Sequence, residues 1–200
     1  MKYNYNLIFL FYLIKSICNK NILRLLANEG EYEFYGNFKD GKADGKGTVI
    51  YKNGDRFEGN FKNGLRDGKG KYYYKNGDRY EGDWRKGKKE GKGIYYWKDG
   101  DKFQGYFEND KKGEYGIYYY KNGEKYEGSL KDGERDGKGI YYWADGDRYE
   151  GDFKNGKRNG KGVYYWNDGE RSMGDYINDK EVGLHVTLSP SGHILENFYE

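Results

Sequence analysis

The side chains that most often do chemistry are few in this 200-residue chain and poorly placed for it. Cys18 is the only cysteine, so no disulfide framework and no thiolate metal cluster can form, and the redox compartment stays open. His185 and His193, the only histidines, sit near the C-terminus and read as cap or turn residues rather than as a metal pair. Gly45-Lys46-Gly47 and its copies lack the third glycine and the strand-to-helix setting of a phosphate loop. No Ser/His/Asp or Cys/His set is present, and the carboxylates fall in turns and on a solvated face. The chain therefore reads as a non-enzyme, with no catalytic residue, cofactor, metal or small-molecule substrate expected.

The aromatic side chains can act differently. Four Trp, 25 Tyr and 10 Phe make up 20% of the chain, and they offer stacking, cation–π contact and apolar burial, which is the chemistry of binding. The candidates for partner contact are Trp97, Trp143 and Trp166, together with Tyr73, Tyr96, Tyr119, Tyr142 and Tyr165.

The elements that position these rings follow from glycine. Of 33 glycines, 31 fall on five fixed positions of a 23-residue period that runs seven times from Phe34 to Ile194. With the first residue of each unit as position 1, glycine fills positions 3 and 21 in all seven units, and positions 8, 12 and 14 with at most two exceptions each. A fixed short period means stacked supersecondary units. Each unit holds two short runs rich in aromatic and β-branched residues, separated by Gly and Asn/Asp, and so reads as two strands. After residue 30 no segment has helical spacing. The fold class is all-β, a single elongated, twisted antiparallel meander of about fourteen strands. Gly54, Gly77, Gly100, Gly123, Gly146 and Gly169, all six directly after Asn or Asp in the pairs that mark each hairpin, are the turn residues from one unit to the next.

Loop length sets which faces carry what. A three-residue loop closed by a left-handed glycine pairs position 16 with the next position 1, setting Tyr95 opposite Phe103, Gly93 opposite Gly105 and Gly91 opposite Phe107. This register is preferred over a two-residue loop because it lets large rings lie over glycines. Positions 1, 5, 16 and 18 then share one face and contribute 23 of the 39 aromatics, including all four tryptophans. The other face shows Glu, Asp and Lys around the tyrosines of position 17, each opposite a cation of position 23, such as Tyr73 with Arg79 as a cation–π pair.

Composition is consistent with a folded but unusual chain: mean hydropathy is −1.22 and 34% of residues are charged, yet disordered chains are aromatic-poor. The net charge of +3 arises in residues 1–30, where Lys2, Lys15, Lys20 and Arg24 face only Glu29. The remainder is balanced, so no polyanion footprint and no nucleic-acid partner is expected.

Residues 1–30 have two readings. Lys2, the apolar run Leu7–Ile14 and the small residues before Asn19 fit a secretory signal peptide ending at residue 18, which would place the protein in the secretory pathway. Alternatively the segment is retained, and Ile14, Ile17, Leu23, Leu25 and Leu26 continue an apolar helix that docks on the first hairpin or lies on a membrane surface, with the protein cytoplasmic or associated with membrane or cytoskeleton. Eight apolar residues are too few to span a bilayer, which needs about 20.

The string Tyr-Glu-Gly-x-Phe/Trp-x-x-Gly-x-x-x-Gly-x-Gly-x-Tyr, clearest at Tyr80–Tyr95 and Tyr149–Tyr164, resembles the MORN (membrane occupation and recognition nexus) repeat family over residues 34–194. The resemblance implies a curled single sheet lined on its concave side by the repeat aromatics, and a role as scaffold, membrane tether or dimerising module. Some members carry the repeats in front of a phosphatidylinositol phosphate kinase or histone lysine methyltransferase domain, of which this chain has no counterpart. Residues 34–171 are six repeats and 172–200 a degenerate seventh repeat with a cap. Unit four departs from the pattern: Asp110 and Glu114 replace two glycines, Gly113 is displaced by one, and Leu130 follows in unit five. These changes predict a coupled irregularity.

A single sheet leaves its aromatic stripe uncovered. If a quarter of 23 rings stayed bare, the stripe would expose on the order of 1,000 Å², against about 300–600 Å² for the largest patch of ordinary monomers. The expectation is a protein-interaction scaffold that holds a partner helix or peptide, or a second copy, in an aromatic groove. The alternative is a membrane or phospholipid attachment module acting through residues 1–30.

Overall fold

The computed structural model describes residues 22–27 and 30–200. The signal-peptide reading of residues 1–18 lies outside them. Sixteen strands follow one another: β1 (Ile22–Ala27), β2 (Gly30–Lys39), β3 (Lys42–Tyr51), β4 (Arg56–Lys62), β5 (Leu65–Tyr73), β6 (Arg79–Arg85), β7 (Lys88–Tyr96), β8 (Lys102–Glu108), β9 (Lys111–Tyr119), β10 (Lys125–Lys131), β11 (Glu134–Tyr142), β12 (Arg148–Lys154), β13 (Lys157–Tyr165), β14 (Arg171–Ile177), β15 (Lys180–Leu188) and β16 (Ile194–Tyr199). They form one antiparallel sheet in sequence order, with no crossover, about 70 Å long at ~4.8 Å per strand.

One expectation is corrected here. The docked-helix reading ran through Leu23, Leu25 and Leu26, but residues 22–27 form strand β1, paired with β2 from Ile22↔Tyr35 to Ala27↔Gly30. Strand β2 offers an unpaired backbone edge, and an extended segment satisfies it where a helix cannot.

Two kinds of hairpin alternate. Between units, Tyr95 pairs with Phe103, Gly93 with Gly105 and Gly91 with Phe107. The loop closes with Trp97 N–H donating to the Asp101 carbonyl at 3.0 Å and Gly100 N–H to the Trp97 carbonyl at 3.1 Å, with Gly100 at φ 109°. This is the three-residue loop with a left-handed third residue. Within a unit the turn is tighter: Arg85 pairs with Lys88, and the two residues between them, Lys86 and Gly87, have φ of 49° and 87°, as a type I′ turn requires. Where glycine is missing from position 8, Asp110 and Asp179 hold the same region at 71° and 72°. Each within-unit hairpin carries a bulge, for instance between the Gly82↔Gly93 and Trp84↔Lys89 pairs.

The core is one residue thick and rests on glycine pairs. Tyr80 is fully buried; a Cβ on Gly82 would lie 2.5 Å from its hydroxyl, and one on Gly93 would lie 2.4–2.6 Å from its ring. The aromatic of position 1 therefore lies on the paired glycines of positions 3 and 14 of its own unit. Its neighbours are the rings of position 5 in its own and the next unit, edge-on: Tyr80–Trp84 at 5.3 Å and Tyr80–Phe107 at 4.9 Å.

Unit seven reaches the same packing by exchange. Ser172 replaces the ring and His185 replaces a glycine; the fully buried His185 ring lies on Gly174, where a Cβ would come within 2.3 Å. Its Nε2 lies 2.9 Å from the Asp175 carbonyl, as the Tyr80 hydroxyl donates to the Asp83 carbonyl at 3.1 Å. It touches Tyr176 and Tyr199, each at 5.2 Å.

Candidate functional site

Beside the buried rings runs a second, half-exposed row. Tyr32, Tyr51, Tyr72, Tyr74, Tyr95, Trp97, Tyr118, Tyr120, Tyr141, Trp143, Tyr164 and Trp166 touch in that order, with every consecutive centroid distance between 4.6 and 6.1 Å. Positions 16 and 18 alternate along it because the loop geometry brings each position 18 against the position 16 that follows. Burial of these rings pushes the phenols of Tyr74 and Tyr118 up to about 12. Trp97, Trp143 and Trp166 belong to this row.

The five tyrosines do not. Tyr73, Tyr96, Tyr119, Tyr142 and Tyr165 lie on the reverse face, each beneath a cation: Arg56, Arg79, Lys102, Lys125 and Arg148, at 4.6, 4.2, 4.0, 4.0 and 3.8 Å from the ring centroid. Tyr73 pairs in register with both Arg56 and Arg79, but the cation that covers it is Arg56, from the preceding unit, and Arg79 covers Tyr96. The eight aromatic candidates thus form two surfaces on opposite sides of one sheet, and the reverse-face rings are already partnered.

Two features of the aromatic face were not anticipated. The first is a cation at position 10 of five successive units. Arg66 lies 4.3 Å from the Trp84 ring, Lys89 5.4 Å from Tyr95, Lys112 4.5 Å from Trp97, Arg135 4.9 Å from Tyr141, and Arg158 4.9 Å from Tyr176. Each of the three arginines also donates to the carbonyl of position 8 in the next unit: Arg66 to Gly87, Arg135 to Gly156 and Arg158 to Asp179. Lysine is too short for that bond. Lys112 donates to the Tyr118 hydroxyl at 2.9 Å, which itself donates to the Gly133 carbonyl at 2.5 Å. Burial, and then the charge of Lys89, lower the Lys112 ammonium to about 8. Burial lowers Lys89 as well, opposed by the nearby Asp110 carboxylate. The sequence signal was present, a basic residue every 23 positions, but it is indistinguishable from the other lysines of a 34% charged chain.

The second is a carboxylate at position 22. Asp78 accepts from the Tyr95 hydroxyl at 2.8 Å and from the Lys98 N–H at 3.0 Å, tying one inter-unit loop to the next. Burial alone would raise its pKa, but the bonds from Lys98, Tyr95 and Asn76 outweigh it and hold the carboxyl below its ordinary range. Asp55, Glu124 and Asp147 accept from Tyr72, Tyr141 and Tyr164 in the same way.

The irregularity of unit four is local to the β9–β10 seam. Elsewhere position 12 pairs with the next position 5, but β9 and β10 pair only from Lys125↔Tyr119 to Ser129↔Tyr115, so Glu114 and Leu130 are not partners. No group of His, Cys, Asp and Glu among the described residues could hold a metal.

The MORN repeat profile matches residues 34–56, 57–79, 80–102, 103–125, 126–148 and 149–171, six consecutive units with the boundaries of the glycine period. The chain belongs to the MORN repeat family. No curated protein matches it. Among solved structures, the TCP domain of SAS-4 (dCPAP) of Drosophila melanogaster, seen in complex with a proline-rich motif of Ana2 (dSTIL), is 17% identical, with 88% of this chain and 96% of that one covered and a TM-score of 0.56. The TCP10c domain of Drosophila melanogaster Sas-4 gives 17% identity, 79% and 96% coverage and a TM-score of 0.49. At such identity the first likeness establishes a common fold for the MORN array and no more.

Proposed function

We propose that this MORN array is a non-catalytic protein-interaction scaffold that binds an extended or helical partner segment along its aromatic face. The observation that carries the reading is the unbroken row from Tyr32 to Trp166, half-exposed along its whole length. Buried rings at positions 1 and 5 hold the sheet together, whereas the outer row is broader than support of the sheet requires. Its rings are fixed by their neighbours and by hydroxyl bonds to carboxylates, so little side-chain entropy remains to be lost on binding. Interleaved cations add donors, and rigid aromatic anchors beside Arg suit hot-spot contacts.

An extended polyproline segment has no internal hydrogen bonds and docks on aromatic-lined surfaces. The SAS-4 domain of the same fold is seen with a proline-rich motif, which makes proline-rich peptides the first ligands to test, followed by amphipathic helices. The experiment is a peptide-array and fluorescence titration of the wild type and of Trp97→Ala, Trp143→Ala and Trp166→Ala variants, with light scattering to detect a second copy as the occupant. A partner bound equally well by all three variants, with the fold intact by circular dichroism, refutes the reading. Salt-sensitive sedimentation with liposomes that is lost on removing residues 1–30 assigns attachment to the N-terminal segment instead.

A further inference from the structure

The turn at the tip of each within-unit hairpin presents two backbone N–H groups toward the preceding unit, and the array satisfies them in a repeated way. At four junctions the N–H of position 7 donates to a carboxylate at position 11 of the unit before: Asn63 to Asp44, Lys86 to Asp67, Asn109 to Glu90 and Asn155 to Asp136, at 3.0–3.3 Å. The N–H of position 8 donates to the position 10 carbonyl, as Gly87 does to Arg66 and Gly156 to Arg135, at 2.8 and 2.9 Å.

The junction between units four and five has neither bond. Gly113 stands at position 11 and brings no carboxylate. The turn residues Asp132 and Gly133 keep the usual conformation, with φ of 52° and 85°. Among the described residues, no protein group accepts from their N–H groups, and a cleft of about 1150 Å³ opens there. Lys112 lines the same cleft, its Cδ 3.8 Å from where a Gly133 Cβ would stand. One of its three donors goes to Tyr118, and among the described residues it has no ion pair. Around the cleft stand the four carboxylates Glu108, Asp110, Glu114 and Asp132 and the three lysines Lys111, Lys112 and Lys131, a net charge of −1 that opposes a multiply charged anion more than a single carboxylate.

We infer that the split β9–β10 seam is a receptor for a single carboxylate side chain, held by the Asp132 and Gly133 N–H groups and the Lys112 ammonium. This rests on the protein-scaffold reading and names what the partner carries at that point: one Asp or Glu, presented beside the aromatic row. The chemistry of the ligand is fixed by the molecule itself, since four equivalent turns bind a carboxylate of the chain. A charged acceptor on N–H donors forms the shorter, stronger class of hydrogen bond.

The test is an amide-resolved ¹H–¹⁵N titration of the full chain with acetate, which needs no partner and so fails independently of the scaffold reading. Saturable shifts at Asp132 and Gly133, absent at Asn109, Asp110, Asn155 and Gly156, are expected. Lys112→Met should weaken the apparent affinity at least threefold, and Gly113→Asp should abolish the response by supplying the carboxylate internally. A Cβ at Gly113 would stand 3.2 Å from the Tyr106 carbonyl; should that variant misfold, the wild-type and Lys112→Met titrations decide alone. No shift at Asp132 and Gly133, or equal shifts at the control turns, overturns the site. Inorganic phosphate binding tenfold tighter than acetate, or a response only to phosphatidylserine-containing vesicles, overturns the assignment to a carboxylate side chain.

Discussion

Unit seven states a rule that can be imposed elsewhere: each glycine pair carries one ring, and either strand can supply it. In unit three the ring is Tyr80 and the glycine under test is Gly93. Tyr80→Ser alone removes a fully buried ring and should cost about 3–5 kcal/mol. Gly93→His alone drives a second ring into the space where Tyr80 atoms already lie 2.4–2.6 Å from an added Cβ, and Trp84 and Phe107 leave Tyr80 nowhere to go. Overpacking of this kind costs about 1–3 kcal/mol. Acting independently, the two would cost about 4–8 kcal/mol, close to the whole stability of an ordinary domain. Together they recreate Ser172 and His185, including an imidazole nitrogen aimed at the Asp83 carbonyl, so the double variant should lose only about 1–2 kcal/mol, a favourable coupling of about 2–7 kcal/mol. Urea unfolding followed by tryptophan fluorescence and circular dichroism measures all four proteins. A double variant no more stable than the sum of the singles refutes the claim that the glycine pair and its ring form one interchangeable unit.

Lys112 titrates near 8 in the fold and near 10.4 in an unfolded chain, so between those values the unfolded state binds more protons and stability rises with pH. The melting temperature of Lys112→Met relative to wild type should therefore fall steadily from pH 8 to 9.5, and a flat difference rejects the lowered value. Asp78 has the same sign in a lower window: its support is present above the ordinary carboxylate range and fades as pH falls through its depressed value. Asp78→Asn should cost about 1–2 kcal/mol at pH 7 through two weakened charge-assisted bonds, and less at pH 3, by urea midpoint. Hydrogen exchange at the Asp132 and Gly133 amides should outpace that at Asn109, Asp110, Asn155 and Gly156; equal protection would mean the seam is closed.

Much of this architecture was legible because glycine reports backbone geometry rather than chemistry. The three-residue loops, the pairing of Tyr95 with Phe103 and the shared face of positions 1, 5, 16 and 18 all follow from where side chains are forbidden. Periodicity also located the disturbance at Asp110, Glu114 and Leu130. It did not reveal what the disturbance does, because the loss of a carboxylate at Gly113 matters only once its hydrogen-bond partner one unit away is known. The position 10 cations were hidden for a related reason: a lysine or arginine in a polar stretch looks solvated until its side chain is seen to fold back over Trp84 or Trp97. The covering of Tyr73 by Arg56 rather than Arg79 depends on side-chain lean, which register leaves undetermined. Leu23, Leu25 and Leu26 misled because a short apolar run fits helix and strand alike.

Each unit of the array holds only its neighbours, so its cohesion resembles a row of dominoes in which the contacts are variations on one pattern. At β9–β10 the turn loses both of its N–H bonds and the Arg-to-carbonyl tie is replaced by a relay through Tyr118. That places the most weakly tied junction near the middle of the row, between β1–β9 and β10–β16, although β9 and β10 stay paired from Lys125↔Tyr119 to Ser129↔Tyr115. A carboxylate bound there from outside should tighten the coupling between the two halves of roughly 70 Å of sheet, because a ligand stabilises the state that binds it.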